Sequence, residues 1–120
     1  MSATDAVTQD ARAVAHRFID ALNARDLDAL LQLVTDDAEL RRFRRDPLHG
    51  RDGARTLLGE AEEDDLRFVP LRGETVEARD DHARVTLPVR ELIGPDDIER
   101  VVEFVIRDGR VAAFAVHPMA

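Results

Sequence analysis

The stretch Phe18 to Leu40, FIDALNARDLDALLQLVTDDAEL, constrains the fold most, because it packs two helix boundaries and the start of a strand into a short span. Upstream and inside it, Val7, Ala11, Val14, Phe18 and Leu22 recur at helical spacing. The pattern breaks at Asn23-Ala24-Arg25. Asp26 then offers a carboxylate to the free N–H groups of a new helix, whose apolar face is Leu27, Leu30, Leu31 and Val34. Thr35-Asp36-Asp37 reads as its end, and Ala38-Glu39-Leu40 begins an alternating strand.

Carried along the chain, the same reasoning predicts a loose segment to about residue 5, a helix from Asp5 or Ala6 to Asn23, and a helix from Leu27 to Val34. A strand follows from Ala38 to about Arg44. Asp46 to Gly50 reads as a loop, and Arg51 to Glu62 as a helix with Ala54, Leu57, Leu58 and Ala61 inward. From there only strands are predicted: 67–71, 74–79, 83–93, 98–107 and 110–118. Their turns fall at Gly73, Asp80-Asp81-His82, Gly94 to Asp97 and Asp108-Gly109. Pro88, in the longest strand, predicts a bulge or an edge. Helices first and an antiparallel sheet second make an α+β layout, and the length predicts one domain over residues 1–120.

Composition removes several chemistries. The chain has no cysteine, so disulfides, thiolate metal sites and cysteine nucleophiles are excluded. Its basic residues are all arginine, which excludes a lysine Schiff base or lysine general base. No tyrosine or tryptophan is present, so no phenolic hydroxyl can serve as acid or oxyanion donor. A net charge of −8 repels phosphate backbones and argues against nucleic acid as a partner. No apolar run approaches the ~20 residues that cross a bilayer, and MSATDAVTQDAR carries no signal-peptide pattern. The expectation is a cytoplasmic protein with no membrane contact.

The stretches ALNARDLDALLQLVTDDAEL and HGRDGARTLL, followed by strands only, resemble the nuclear transport factor 2-like superfamily, and within it the SnoaL-like and ketosteroid-isomerase-like branch. The resemblance covers nearly the whole chain. It implies a strongly curved sheet, antiparallel or mixed, wrapped around the N-terminal helices into a cone with an interior pocket. It does not fix an activity, since members include isomerases, cyclases, dehydratases, epoxide hydrolases and proteins without known chemistry.

Placed on that implied fold, strand parity selects the residues that face inward. Leu40 must be buried, and Arg42 shares its face on the predicted strand. Val102, Phe104 and Ile106 form one inward set, and Ala112, Phe114 and Val116 another. The predicted ligand-contacting residues are therefore Phe18, Leu22, Leu40, Arg42, Val102, Phe104 and Phe114. Val85, Leu87 and Val89 carry Glu91 inward unless a bulge at Pro88 brings Arg90 in instead. The remaining face, with Val101, Val105, Val111, Ala113 and Ala115, is small and apolar and needs a cover, which predicts a homodimer through the outer sheet face.

Where the resemblance implies the ketosteroid isomerase residues, this chain departs from it. Phe18 stands at the tyrosine, Arg42 at the aspartate base and Val102 at the acid of the penultimate strand, so that mechanism does not carry over. Three weaker candidates remain. Arg42 or Arg90 with Glu91 and Asp46 imitates the aspartate–arginine–aspartate arrangement of epoxide-hydrolase relatives. His49 could act as a general base at the pocket mouth, or simply shape the entry to the third helix. The RRFRR run is read as solvated or ion-paired, apart from Arg42, with the acidic stretch Glu62 to Asp65 as an opposing surface. His16, His49, His82 and His117 show no ligand spacing, so no metal and no cofactor are predicted.

Arg42 leaves two readings open. A cation in an apolar pocket needs an anion: either Glu91, making it structural, or a small anionic ligand. The leading expectation is a small-molecule-binding protein with an apolar pocket. Behind it stand an enzyme of cyclase, dehydratase or hydrolase type using His49, Arg42 and an acid, and a dimerisation module whose interior is filled.

Overall fold

The computed structural model describes residues 3–119, and side chains from Thr8 onward. Three helices precede or interrupt a seven-stranded sheet: α1 Ala3–Ala24, α2 Leu27–Leu33, β1 Val34–Arg41, β2 Leu48–His49, α3 Gly50–Glu63, β3 Leu66–Pro70, β4 Thr75–Ala78, β5 Ala83–Ile93, β6 Asp96–Arg107 and β7 Arg110–Pro118. The sheet is curved and mixed, in the order β2-β1-β7-β6-β5-β3, with β4 also paired to β5. β1 and β7 run parallel; the other pairings are antiparallel. The α+β reading is correct.

The first helix begins at Ala3, so residues 3–5 are helical where the sequence predicted a loose segment; Met1 and Ser2 lie outside the described residues. Its buried stripe includes Ala11, Val14, Phe18 and Leu22, as the spacing predicts. Arg25 ends it with φ 59°, in the left-handed region, and holds that turn with its own side chain. The guanidinium donates to the carbonyls of Leu22 at 2.8 Å, Ala61 at 3.0 Å and Leu66 at 2.7 Å, tying the ends of α1 and α3 to β3. Asn23 adds two bonds to the edge strand, Nδ2 donating to the Phe68 carbonyl and Oδ1 accepting the Phe68 N–H. Asp26 caps α2 as predicted, accepting from the Ala29 N–H at 3.1 Å.

Four details of the sheet differ from the sequence reading. First, β1 starts at Val34 and stops at Arg41, rather than running from Ala38 to Arg44. Thr35-Asp36-Asp37 belong to the strand, in an irregular stretch where pairing to β7 jumps from Val34↔Val111 to Glu39↔Ala113. The RRFRR run therefore does not lie along a strand: Arg42 to Asp46 form a turn, with Arg44 at φ 59°.

Second, a two-residue strand, Leu48–His49, pairs with Leu40 and Glu39 inside the predicted loop. It brings Gly50 so close to β1 that a Cβ there would sit 2.6 Å from the Asp36 carbonyl oxygen, at φ +66°. Glycine is required on both counts.

Third, Pro88 causes no bulge, because β5 and β6 keep register through it. It sits instead in the gap between the two short strands that share the other side of β5. Its carbonyl there accepts the Leu71 N–H at 2.8 Å, so the missing N–H faces a local edge. With register intact, Val85, Leu87, Val89 and Glu91 all point inward and Arg90 points out, where it meets Asp97 at 3.5 Å.

Fourth, the β6–β7 register shifts between Val105 and Ile106, so that Ala112 is an extra residue. The swap in parity buries Val111 opposite Ile106, whereas the sequence placed Val111 outside and Ala112 inside. The turns are tighter than predicted at Gly94-Pro95, and as predicted at Asp108-Gly109, both with positive φ.

The core lies between the inner sheet face and the helices. At its centre Phe18 packs on Phe104 and Phe114 with ring centroids 5.4 and 4.9 Å away, and Phe68 approaches Phe114 at 6.3 Å. No helix among the described residues is long and apolar enough to cross a membrane.

Candidate functional site

The aromatic cluster decides where a site can be. Phe18, Leu40, Val102 and Phe104 are fully buried in packed core, and none of them lines the void beside α3. The void lies to one side, where the last turns of α3 face the end of β5 and the start of β6. It measures about 180 Å3. Leu22, Leu57, Ala61, Phe68, Phe114 and Val116 give it an apolar floor, and Arg42, Arg45, Glu60, Asp64, Glu91 and Arg100 a polar rim, beside Phe43. Of the seven predicted contact residues, Leu22, Arg42 and Phe114 reach it.

Arg42 enters the site from the turn after β1, not from the strand. Its side chain is 16% exposed and pairs with Glu60 of α3, while a second guanidinium nitrogen donates to the Asp46 carbonyl. This corrects the predicted pairing with Glu91. Glu60 recurs one helical turn from Leu57 and next to Ala61, so α3 presents it beside its own buried stripe. Arg45 adds to the cluster, 3.5 Å from Glu60 and 3.7 Å from Asp64. The predicted opposition of basic run and acidic stretch is thus met at Asp64, with Glu60 carrying most of it.

Glu91 is, among the described residues, the one charged side chain in the buried class, at 6% exposure. Its partner is Arg100, whose Nε donates to Oε1 at 3.5 Å, beyond the usual 2.7–3.2 Å range for such bonds. Arg100 also lies over the Phe43 ring, 4.0 Å from its centroid, with Arg44 at 5.0 Å. Phe43 is thereby fixed over the cavity by cation–π contact. Arg100 escaped the sequence reading although parity reaches it: it is one strand period before Val102, on the same face.

Two buried polar atoms in this rim, Arg42 Nε and Glu60 Oε1, have no hydrogen-bond partner. Each arginine of the rim nonetheless has a carboxylate within 4 Å: Glu60 for Arg42, Glu60 and Asp64 for Arg45, Glu91 for Arg100. The arrangement offers hydrogen-bond donors and acceptors around an apolar void, with its charges matched internally.

The other candidates are elsewhere. His49 is exposed on β2, ahead of α3, and does not line the cavity. Asp46 is exposed and reaches Arg42 only through its carbonyl, and Arg90 faces out, so the aspartate–arginine–aspartate arrangement is not assembled. His16 is bound to Glu74 at 2.6 Å, His82 to Asp81 at 2.7 Å, and His117 is exposed. The His82 hydrogen bond, and then its charge, hold the Asp81 carboxyl below its ordinary range. Among the described residues no three His, Asp or Glu side chains gather into a metal-binding group.

Comparison with known proteins agrees with the geometry of the fold. An NTF2-like family protein from Streptomyces avermitilis, provisionally named a dehydratase, superposes with TM-score 0.82 at 17% identity over 97% of this chain and 99% of that one. A Kribbella flavida protein provisionally named a ketosteroid isomerase gives 0.72 at 24% identity over 99% and 84%. The orange carotenoid protein of Anabaena (Nostoc) sp. PCC 7120, solved binding canthaxanthin, gives 0.78 at 22% identity; the match takes 89% of this chain but 35% of that one. No curated protein matches the sequence. The model of the SnoaL-like domain matches residues 15–114, most of the chain, and the protein belongs to that family, within the nuclear transport factor 2-like superfamily.

Proposed function

We propose that this protein binds a small, neutral, mostly apolar molecule in the cavity beside α3. The observation behind this reading is the void of about 180 Å3 with an apolar floor and a rim whose three arginines are each matched by a carboxylate. An anionic ligand would have to displace one of those carboxylates, so of the two readings of Arg42 the internal pair is favoured. The volume is below the ~300 Å3 common for drug-sized ligands, but above the ~150 Å3 of an apolar cavity that accepts benzene. The occupant is accordingly about one ring in size.

The test is a melting series with benzene, toluene and small carboxylates such as benzoate. Neutral rings are expected to raise the melting temperature and benzoate to leave it unchanged. The reverse order would overturn the reading.

An enzymatic role is the second reading, and one observation favours it: Glu91 is a buried carboxylate at a cavity wall. The protein is further proposed to act as a homodimer through the outer sheet face. Val101, Val105, Ala113 and Ala115 form a partly exposed apolar set there; Val111 no longer belongs to it. Ala113→Arg should convert a dimer to monomer in sedimentation or native mass spectrometry. An unchanged mass would place any interface elsewhere.

A further inference from the structure

The rim of the cavity contains two carboxylates whose surroundings are incomplete, Glu60 and Glu91, and Glu91 is the more deeply buried. Glu91 is brought inward by the alternation Val85, Leu87, Val89, Glu91 on β5, uninterrupted at Pro88. It is more than nine-tenths buried, yet its one side-chain partner is Arg100 Nε at 3.5 Å, a long contact to a single oxygen. An ionised carboxylate has about four acceptor sites, and removing it from water is costly unless several of them are filled. Arg100 cannot easily close the gap, because its guanidinium is also held over the Phe43 ring at 4.0 Å. Glu60, on the opposite wall, also has an unpartnered oxygen, Oε1, but its Oε2 is engaged by both Arg42 and Arg45 and its side chain is the more exposed of the two carboxylates.

We infer that Glu91 is the hydrogen-bond acceptor for the ligand, and that the ligand class is a ring-sized neutral molecule carrying a hydroxyl donor, a phenol or cyclic alcohol. This rests on the proposed binding role of the cavity and adds the chemistry of recognition to it. The donor must be neutral: with Arg100 at one oxygen the pair already balances, and a cationic ligand would leave Arg100 facing an added positive charge. It must also be a donor rather than an acceptor, since a carboxylate accepts only. Leu22, Phe68 and Phe114 then cover the ring while the hydroxyl points to β5.

The experiment measures binding of phenol, toluene and benzene to the full chain by ligand-detected NMR, with the wild type and Glu91→Gln side by side. Phenol and toluene differ little in size but only phenol donates. The expected result is that the wild type binds phenol about tenfold or more tighter than toluene, the worth of a hydrogen bond to a charged acceptor, and that Glu91→Gln keeps toluene affinity while losing most of that preference.

Toluene binding with no preference for phenol overturns this inference and leaves the cavity reading standing. A preference that survives in Glu91→Gln overturns the assignment to Glu91. Failure of all three rings to bind overturns the cavity reading and this inference with it. Should Glu91→Gln not fold, Glu91→Met with Arg100→Met removes the pair together and is read in the same way. The wild-type ratio of phenol to toluene decides the donor requirement without any variant.

Discussion

Phe18, Phe104 and Phe114 fill the middle of the molecule with ring centroids 4.9 to 5.4 Å apart. Beside them Arg42, Glu60, Glu91 and Arg100 border a void. Both regions lie on the inner face of the same sheet. In the first, alternation delivers aromatic and aliphatic side chains from α1, β6 and β7 to one point, and close packing leaves no space. In the second, β5, β6, α3 and the turn after β1 bring charged residues to one border, where carboxylates and guanidinium groups pair around the void. The difference teaches that in this fold the place for a ligand is set by where the strands cease to supply bulky apolar residues, not by the centre of the sheet. Phe18 and Val102, which the resemblance sets at two of the isomerase positions, belong to the packed core.

The comparison can be broken most severely from the aromatic side. Phe104→Ala should cost about 3–5 kcal/mol in denaturant unfolding, as truncation of a fully buried aromatic ring does. It should also open a second void, in the aromatic middle, that binds benzene where the wild-type middle has no space. A loss below about 1 kcal/mol would mean that the cluster is looser than its ring distances indicate.

From the charged side the expected effect is smaller and has a distinct signature. Arg42→Met leaves Glu60 with only Arg45, and should destabilise by about 2 kcal/mol, less than the ~3–5 of a fully buried pair because both partners keep some exposure. Arg42→Met with Glu60→Met should recover most of that loss. Combining Arg42→Met with Glu91→Met should not, since Glu91 pairs with Arg100. Equal recovery by both second substitutions would refute the pairing.

The smallest effect lies outside both regions and serves as a reference for exposed pairs. The hydrogen bond and charge of His82 lower the Asp81 pKa, so the favourable contact is present above the ordinary carboxylate range and is lost as pH falls through the lowered value. A carbon-detected NMR titration should show Asp81 titrating below the other exposed aspartates, and His82→Ala should return it to their range. Global stability should be nearly unchanged, since the pair is exposed.

Much of this architecture is legible in the residues. Helical spacing locates the α1 stripe, Asp26 marks the start of α2, and β5 and β7 have the ends that alternation and turn residues assign them. Inward facing of Val102, Phe104 and Phe114 follows from parity once the bulkier, aromatic set of each strand is placed inside.

What fails is whatever depends on a partner strand. The extra residue at Ala112 is fixed by register with β6, and the end of β1 at Arg41 by where β7 and β2 stop offering partners. Arg42 reaches the site although the strand argument for it fails, because the turn after β1 folds back on α3 and Glu60 waits there. Glu60 and the anchoring role of Arg25 are invisible to local pattern: each is defined by a contact across the fold, over 18 residues for Arg42 with Glu60 and 41 for Arg25 with Leu66. Arg100 alone was within reach, by extending the β6 parity one step before Val102.

The central claim is that the molecule's receptive region is the cavity beside α3 and that its aromatic middle is closed. Methyl-labelled NMR with saturating toluene tests it directly, since the methyl-bearing residues are divided between the two regions. The account predicts shifts at Leu22, Leu57, Ile93 and Val116, which line the cavity, and none of comparable size at Leu40, Val85 or Val102. Shifts centred on Leu40 and Val102, with Ile93 and Val116 unmoved, would contradict it.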